Sequence, residues 1–296
     1  MNARALLALA FAAGIAGTQR GPQTGAGHFA LGRAAYAAHH ADSAVREFEK
    51  AVALDDRNAN YHLWLARAVG MQSENASFVR VPGLAKRMRI EYERAVAIDP
   101  SDIEAREGML EAYLGPAMFG GSLEKAQEQA DAITRSNAMR GHIARAMIAR
   151  HESDSAAVEA EWRQAAHDFP DSLVAVMGYA DLLVSHKRRI EAVEAVSAYV
   201  ARRPNDMHGA VALGRVTALT GVSLEIGERA LRSVIATLGG AHDSAGPSLA
   251  PPHFWLGEIL RRRGDVAQAR EEYERALAIS PGLEAAKNAL KALPSR

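Results

Sequence analysis

An all-α array of antiparallel helix pairs is the fold class this chain predicts, and three observations predict it. The stretch from His253 to Leu293 carries Leu256-Gly257 and then Ala269, Tyr273, Ala276 and Pro281, at offsets of 12, 16, 19 and 24 from the glycine. That spacing fits a repeat of about 34 residues built from two helices, with small residues where they touch. The same offsets recur near the other end, where Leu31-Gly32 is followed by Ala44, Phe48 and Ala51 at 12, 16 and 19. Composition agrees: alanine is abundant and aromatics are only 6%, as close helix packing requires. One pair cannot bury its own apolar face, so a good copy at each end predicts further copies between them.

The elements follow in order. Residues 1–17 open with Arg4 and continue as the apolar run Ala5 to Ala16, with small residues at Gly14, Ala16 and Gly17. This reads as a secretory signal peptide, and the run falls short of the ~20 residues that span a bilayer. An uncleaved anchor is the rival reading. Residues 18–27 read as a flexible lead-in, and 28–293 as the helical array. The first repeat has Asp56 where a closing proline would stand. The second has Leu65-Ala66, then Tyr92, Ala95 and Pro100, with ten extra residues between its helices. Ser73-Glu74-Asn75 and Val81-Pro82-Gly83 are turn signals there, so 71–86 is expected as an inserted loop. The third opens on Ser101-Asp102-Ile103-Glu104, a capping-box pattern, and continues through Met109-Leu110, Tyr113 and Ala126. It holds four extra residues in 115–122, where Gly120-Gly121 permits a tight turn and Ser122 can cap the next helix. The fourth closes on Trp162, Ala165 and Pro170, and the fifth has Ala180, Ala192 and Pro204. The sixth carries Leu213-Gly214, Ile226 and Ala230. Gly239 to Pro252 reads as an exposed loop, and amphipathic Leu283 to Leu293 as a terminal capping helix.

On these motifs residues 25–293 resemble the tetratricopeptide-repeat superfamily, most closely in the first and last copies and as an exported bacterial type. The resemblance implies a right-handed α–α superhelix, a TPR solenoid of six to seven helix pairs plus the capping helix. It also implies the family's usual activity, binding a polypeptide along the concave side and organising complexes. Groove positions lie one and four residues beyond the small residue and three before it. In the first repeat these are Phe29, Arg33 and Tyr36; in the second, Leu63 and Arg67; in the third, Glu107 and Glu111. Arginine forks and aromatic surface at one end suit an extended peptide carrying acidic groups. The lysine–asparagine clamp of chaperone-binding members is absent, since Phe29, Arg33 and Trp64 occupy its positions.

Other function classes find little support. Lys plus Arg equals Asp plus Glu at 35 each, so no basic excess points to nucleic acid. Without cysteine there is no thiol nucleophile and no thiolate metal site. Of the eleven histidines, His39-His40 diverge on a helix and His142 and His151 lack ligand spacing. No phosphate loop, nucleophile elbow or dinucleotide fingerprint occurs. Arg261-Arg262-Arg263 suits a helix C-terminus. Neither metal, cofactor nor small-molecule substrate is expected, and the protein is not expected to be an enzyme. The two inserted loops should emerge on one edge and bring Phe78, Val81, Pro82, Met118 and Phe119 together, either packed on one another or as a recognition patch. The leading expectation is a non-catalytic scaffold in the periplasm with a protein or peptide partner. Its rival is a structural subunit docking through those loops into a membrane-associated complex.

Overall fold

The computed structural model describes residues 24–239 and 248–294. Among these residues there are fifteen α-helices, one 3₁₀ turn and no strand. The chain divides into two compact units between Ser136 and Asn137. The first unit holds α1 (Gly25–Ala37), α2 (Ala41–Leu54), α3 (Ala59–Glu74), α4 (Val81–Ile98), α5 (Ile103–Tyr113) and α6 (Leu123–Ser136). The second holds α7 (Ala138–His151), α8 (Ser155–Asp168), α9 (Leu173–Ser185), α10 (Arg189–Arg202), α11 (Met207–Thr220), α12 (Leu224–Gly239), α13 (Ala250–Arg263), α14 (Val266–Ile279) and α15 (Glu284–Ala292). Within each unit every helix packs first on its chain neighbours, α1 on α2, α3 on α4, α13 on α14. That is the pair-on-pair stacking of an α–α superhelix, with seven pairs and a final capping helix.

The diagnostic residues earn their positions by contact. Tyr273 is fully buried, and its ring lies so close to Gly257 that a Cβ there would come within 2.6 Å of it. Phe48 lies the same way on Gly32, at 2.5 Å. In the second and fourth repeats the equivalent ring turns forward, Tyr92 onto Gly108 of α5 and Trp162 onto Gly178 of α9. Burying one such ring is worth about 2–3 kcal/mol, and it depends on the missing side chain opposite.

Reversal of the chain inside a pair is equally regular. His39, Ser153 and Lys187 have φ of 57°, 61° and 63°, while Gly221 and Gly264 have 74° and 89°. Each stands seven residues after the small residue of its own repeat, so His39 belongs to a turn. Sequence spacing gave no sign of a second recurring feature, a polar bond between the two helices. His28, His62, His142 and His253 each place Nδ1 within 2.6–2.7 Å of a glutamate on the partner helix, respectively Glu47, Glu91, Glu161 and Glu272. In the third repeat Arg106 and Gln129 fill the same two positions at 2.8 Å.

Several loops differ from expectation. The ten extra residues of the second repeat do not form a loop over 71–86; they lengthen α3 to Glu74 and start α4 at Val81, leaving 75–80 as the connection. Pro82 stands in the first turn of α4, where its missing N–H costs nothing. The capping box is also corrected: Asp102, not Ser101, accepts the Ala105 N–H at 3.1 Å, and Ser101 turns back to Asp99. The turn at 115–122 does form, as a 3₁₀ turn at Ala117–Phe119 followed by Gly120 at φ 96°. Ser122 Oγ there accepts the Lys125 N–H at 3.3 Å. Of the expected loop at 239–252, Gly239 ends α12, residues 250–252 already belong to α13 and 240–247 lie outside the described residues. The signal peptide at 1–17 also lies outside them, as does 18–23 of the lead-in; 25–27 are helical, with Thr24 as cap. Among the described residues no helix is long and apolar enough to cross a membrane.

Gly257→Val should therefore cost about 2–3 kcal/mol, read as a lowered urea midpoint, and Gly257→Val/Tyr273→Leu should recover part of it. The polar bonds predict a pH dependence. The hydrogen bond that the protonated His62 imidazole donates to Glu91 raises its pKa above the ordinary 6.5. Its contribution is complete below 6.5 and is lost as pH rises through the raised value. Burial opposes ionisation of Glu272, but the His253 bond and the charges of His253, Arg275 and Arg232 outweigh it and hold the carboxyl below its ordinary 4.5. That contribution is present above 4.5 and fades as pH falls through the lowered value. Urea midpoints should therefore peak between 4.5 and 6.5, and His62→Phe should flatten the alkaline limb of that profile.

Candidate functional site

The first helices of the three pairs in the first unit, α1, α3 and α5, lie side by side. Their most distinctive surface surrounds Trp64 of α3. The Arg33 guanidinium stacks over the indole at 3.7 Å from the ring centroid, and Arg67 lies over it at 4.8 Å. Tyr36 meets the same ring edge-on at 5.3 Å. Trp64 and Tyr36 are half-buried and Arg33 is exposed, so the group is a platform with one side open.

The helices fix this arrangement. Trp64 and Arg67 are three residues apart and share one face of α3. Leu63, Leu65 and Val69 point instead into the core. The platform rests on Phe29, whose ring lies 5.1 Å from Tyr61, 5.6 Å from Phe48 and 6.5 Å from Trp64. Beyond it, Arg67 bonds Glu104 of α5 at 2.7 Å. Burial pushes the Tyr92 hydroxyl up to about 12, with Arg67, Glu111 and Tyr36 all close enough to act on it. Arg33 makes no ion pair or hydrogen bond among the described residues.

Of the expected groove residues, Arg33, Tyr36 and Arg67 are brought together. Phe29 supports them from below, a half-buried member of the core cluster. Leu63 is a correction: it is 4% exposed and belongs to the core. The residue sequence reasoning misplaced is Trp64, read there only as a missing clamp asparagine. A signal was present, because tryptophan is among the rarest residues here and this one is flanked by groove arginines at two repeats' equivalent positions.

The loop residues are less united. Phe78, Val79 and Met118 are 85%, 86% and 83% exposed, while Pro82 and Phe119 are half-buried. The 3₁₀ turn touches α4, with Gly120 against the Arg89 guanidinium rather than near Phe78. In the second unit, a cavity of about 430 Å³ is lined by Leu173, Met177, Val211, Val234 and Pro252. It offers apolar surface, and Arg215 at its rim is held by Asp181 at 3.0 Å. The Arg261–Arg263 run is engaged locally: Arg261 with Glu258 at 2.7 Å, Arg262 with the Leu219 carbonyl at 3.0 Å, and Arg263 with Glu228. Among the described residues no group of three metal-ligating side chains converges.

Two tetratricopeptide-repeat family models match, one over residues 29–76 and one over residues 250–283. The chain contains tetratricopeptide repeats. The matched segments are the repeats that contain the Trp64 platform and the Gly257–Tyr273 contact. Among solved structures, this repeat protein is similar to yeast Tom70 at 13% identity and a TM-score of 0.63, over 90% of this chain and 52% of that one. It is similar to a monomeric mutant of IFIT1 with Gppp-AAAA at 12% identity and a TM-score of 0.51, over 91% of this chain and 62% of that one. A tetratricopeptide-repeat protein from Parabacteroides merdae matches at 15% identity and a TM-score of 0.48, over 91% and 98% of the two chains. The chain thus spans about half of Tom70 and about three-fifths of IFIT1. At these identities the likeness is one of fold. No curated protein matches the chain.

The different placements of Leu63 and Arg33 predict different costs. Leu63→Ala should destabilise the repeat protein by about 2–4 kcal/mol, as buried leucines do. Arg33→Ala should cost no more than about 1 kcal/mol, the range of an exposed cation–π contact. Urea titration of the two variants separates core from platform.

Proposed function

We propose that this protein is a non-catalytic scaffold, exported to the cell envelope, that binds a polypeptide across α1, α3 and α5 of its first unit. The tetratricopeptide-repeat fold supports protein–protein interaction in general. The observation that carries the finer reading is the open platform of Arg33, Tyr36, Trp64 and Arg67, with Arg33 free of any ion pair among the described residues. Such a surface combines two features typical of binding hot spots, an aromatic anchor and arginine. Export rests on the signal-like residues 1–17 and places the partner in the periplasm.

A second reading has its own observation. Phe78 and Val79, at the tip between the lengthened α3 and α4, stand exposed with Met118. Solvated apolar side chains of that kind suit docking into a larger, membrane-associated assembly.

Photo-crosslinking separates the two. A benzophenone side chain placed at Tyr36, in the cells that make the protein, should capture a polypeptide, and Trp64→Ala should abolish the capture. Capture at Phe78 alone, insensitive to Trp64→Ala, would sink the groove and favour the loop. The structural neighbour carrying Gppp-AAAA sets a further arm: tight, Trp64-dependent binding of that oligonucleotide would replace a polypeptide ligand by RNA.

A further inference from the structure

The Trp64 face is electrically lopsided, and the asymmetry follows the order of the helices. At one register position, which follows Gly32 in α1, Ala66 in α3 and Leu110 in α5, the chain carries Arg33, Arg67 and Glu111. Arg67 is met by Glu104 across the α3–α5 junction at 2.7 Å, so the middle of the face is already neutral. Arg33 has no such partner among the described residues, which leaves positive charge over α1. Glu104 and Glu111 stand seven residues apart on one helical face of α5. Glu104 and Glu111 are exposed, and only the first meets Arg67. The α5 end is therefore negative.

A uniformly acidic peptide would meet Arg33 favourably and be repelled by α5. A uniformly basic one would meet the reverse. We propose that the ligand of this face is an extended polypeptide segment of split charge, acidic where it crosses α1 and basic where it crosses α5. Packed helices stand 8–10 Å apart, so two steps from α1 to α5 cover roughly 20 Å. An extended chain rises about 3.3 Å per residue, which places the two charged groups about six residues apart. Between them the segment lies over Trp64 and Tyr36, which favour an apolar or aromatic side chain. This inference rests on the groove reading given above and adds the chemistry of its occupant.

The test uses the full chain and four fluorescein-labelled peptides sharing a Phe-containing Gly/Ser spacer of about six residues. One has Asp pairs before and Lys pairs after the spacer, one has the reverse order, one is all-Asp and one all-Lys. Fluorescence anisotropy at low salt reads their affinities. One of the split-charge peptides should bind about fivefold or more tighter than either uniform peptide, as two partly exposed charge pairs allow. Arg33→Glu should move the preference to the all-Lys peptide, and Glu111→Lys to the all-Asp peptide. Circular dichroism confirms that both variants keep their helices. An all-Asp peptide that binds wild type best, or a ranking that Glu111→Lys leaves unchanged, overturns the inference. If Trp64→Ala still abolishes binding in that case, the groove reading survives without the split charge. If Trp64→Ala changes nothing, both readings fall together.

Discussion

Helix pairs in this protein close where a large side chain lies against a residue that has almost none. Tyr273 on Gly257 and Phe48 on Gly32 are the plainest cases, and the rest of the architecture depends on that contact. A ring in this place lets two helices approach until their alanines touch, as the complete burial of Ala44, Ala51, Ala269 and Ala276 records. Close approach leaves the outer apolar residues of each pair uncovered by their own repeat, and only the next pair can cover them. In the second and fourth repeats the ring itself makes the next junction, Tyr92 against Gly108 and Trp162 against Gly178. The same 16-residue separation serves both directions, backward within a repeat and forward across a boundary.

Polar bonds between the two helices complement the ring. The His–Glu pairs of the first, second, fourth and last repeats sit near the same edge of the pair and satisfy a nitrogen and a carboxylate that close packing removes from water. They are geometric as much as energetic. A hydrogen bond at 2.6–2.7 Å tolerates little sliding of one helix along the other, so it fixes the register that the ring contact, being apolar and non-directional, leaves loose.

How far the sequence could be read follows from these contacts. Gly257, Tyr273 and Pro281 announce themselves because each is demanded by a steric or backbone constraint at a fixed offset. The His–Glu bond did not, since its partners are 19 residues apart in three repeats and 29 in the stretched one, with no constraint on residue type visible in either alone. The insertion before Tyr92 was counted correctly but given the wrong form. Val81-Pro82-Gly83 has a loop's composition, yet proline in a first helical turn is compatible with helix, and apolar Leu84 and Met88 at four-residue spacing continue it. Leu63 shows the limit of register arithmetic. It occupies the same repeat position as Phe29, but burial depends on what surrounds the position, and Leu63 is enclosed while Phe29 is only half-buried.

The Trp64 platform is hard to explain as a stabilising device. Core packing in this part of the first unit is already provided by Phe48, Leu65 and Val69, all fully or almost fully buried. An exposed Arg33 over an indole adds about 0.5–1 kcal/mol at most, and the Arg67–Glu104 pair, partly solvated at both ends, adds 1 kcal/mol or less. Against this stands the entropy of holding two long arginine side chains in one place, up to about 2 kcal/mol each when fully ordered. The fold would lose little if Arg33 and Arg67 were alanine and serine. What the arrangement does secure is position: a planar donor fork, a ring and a phenol aligned on α1 and α3 before any ligand arrives, so that less ordering remains to be done on binding. Preorganisation of that kind is of use to recognition and of almost none to folding.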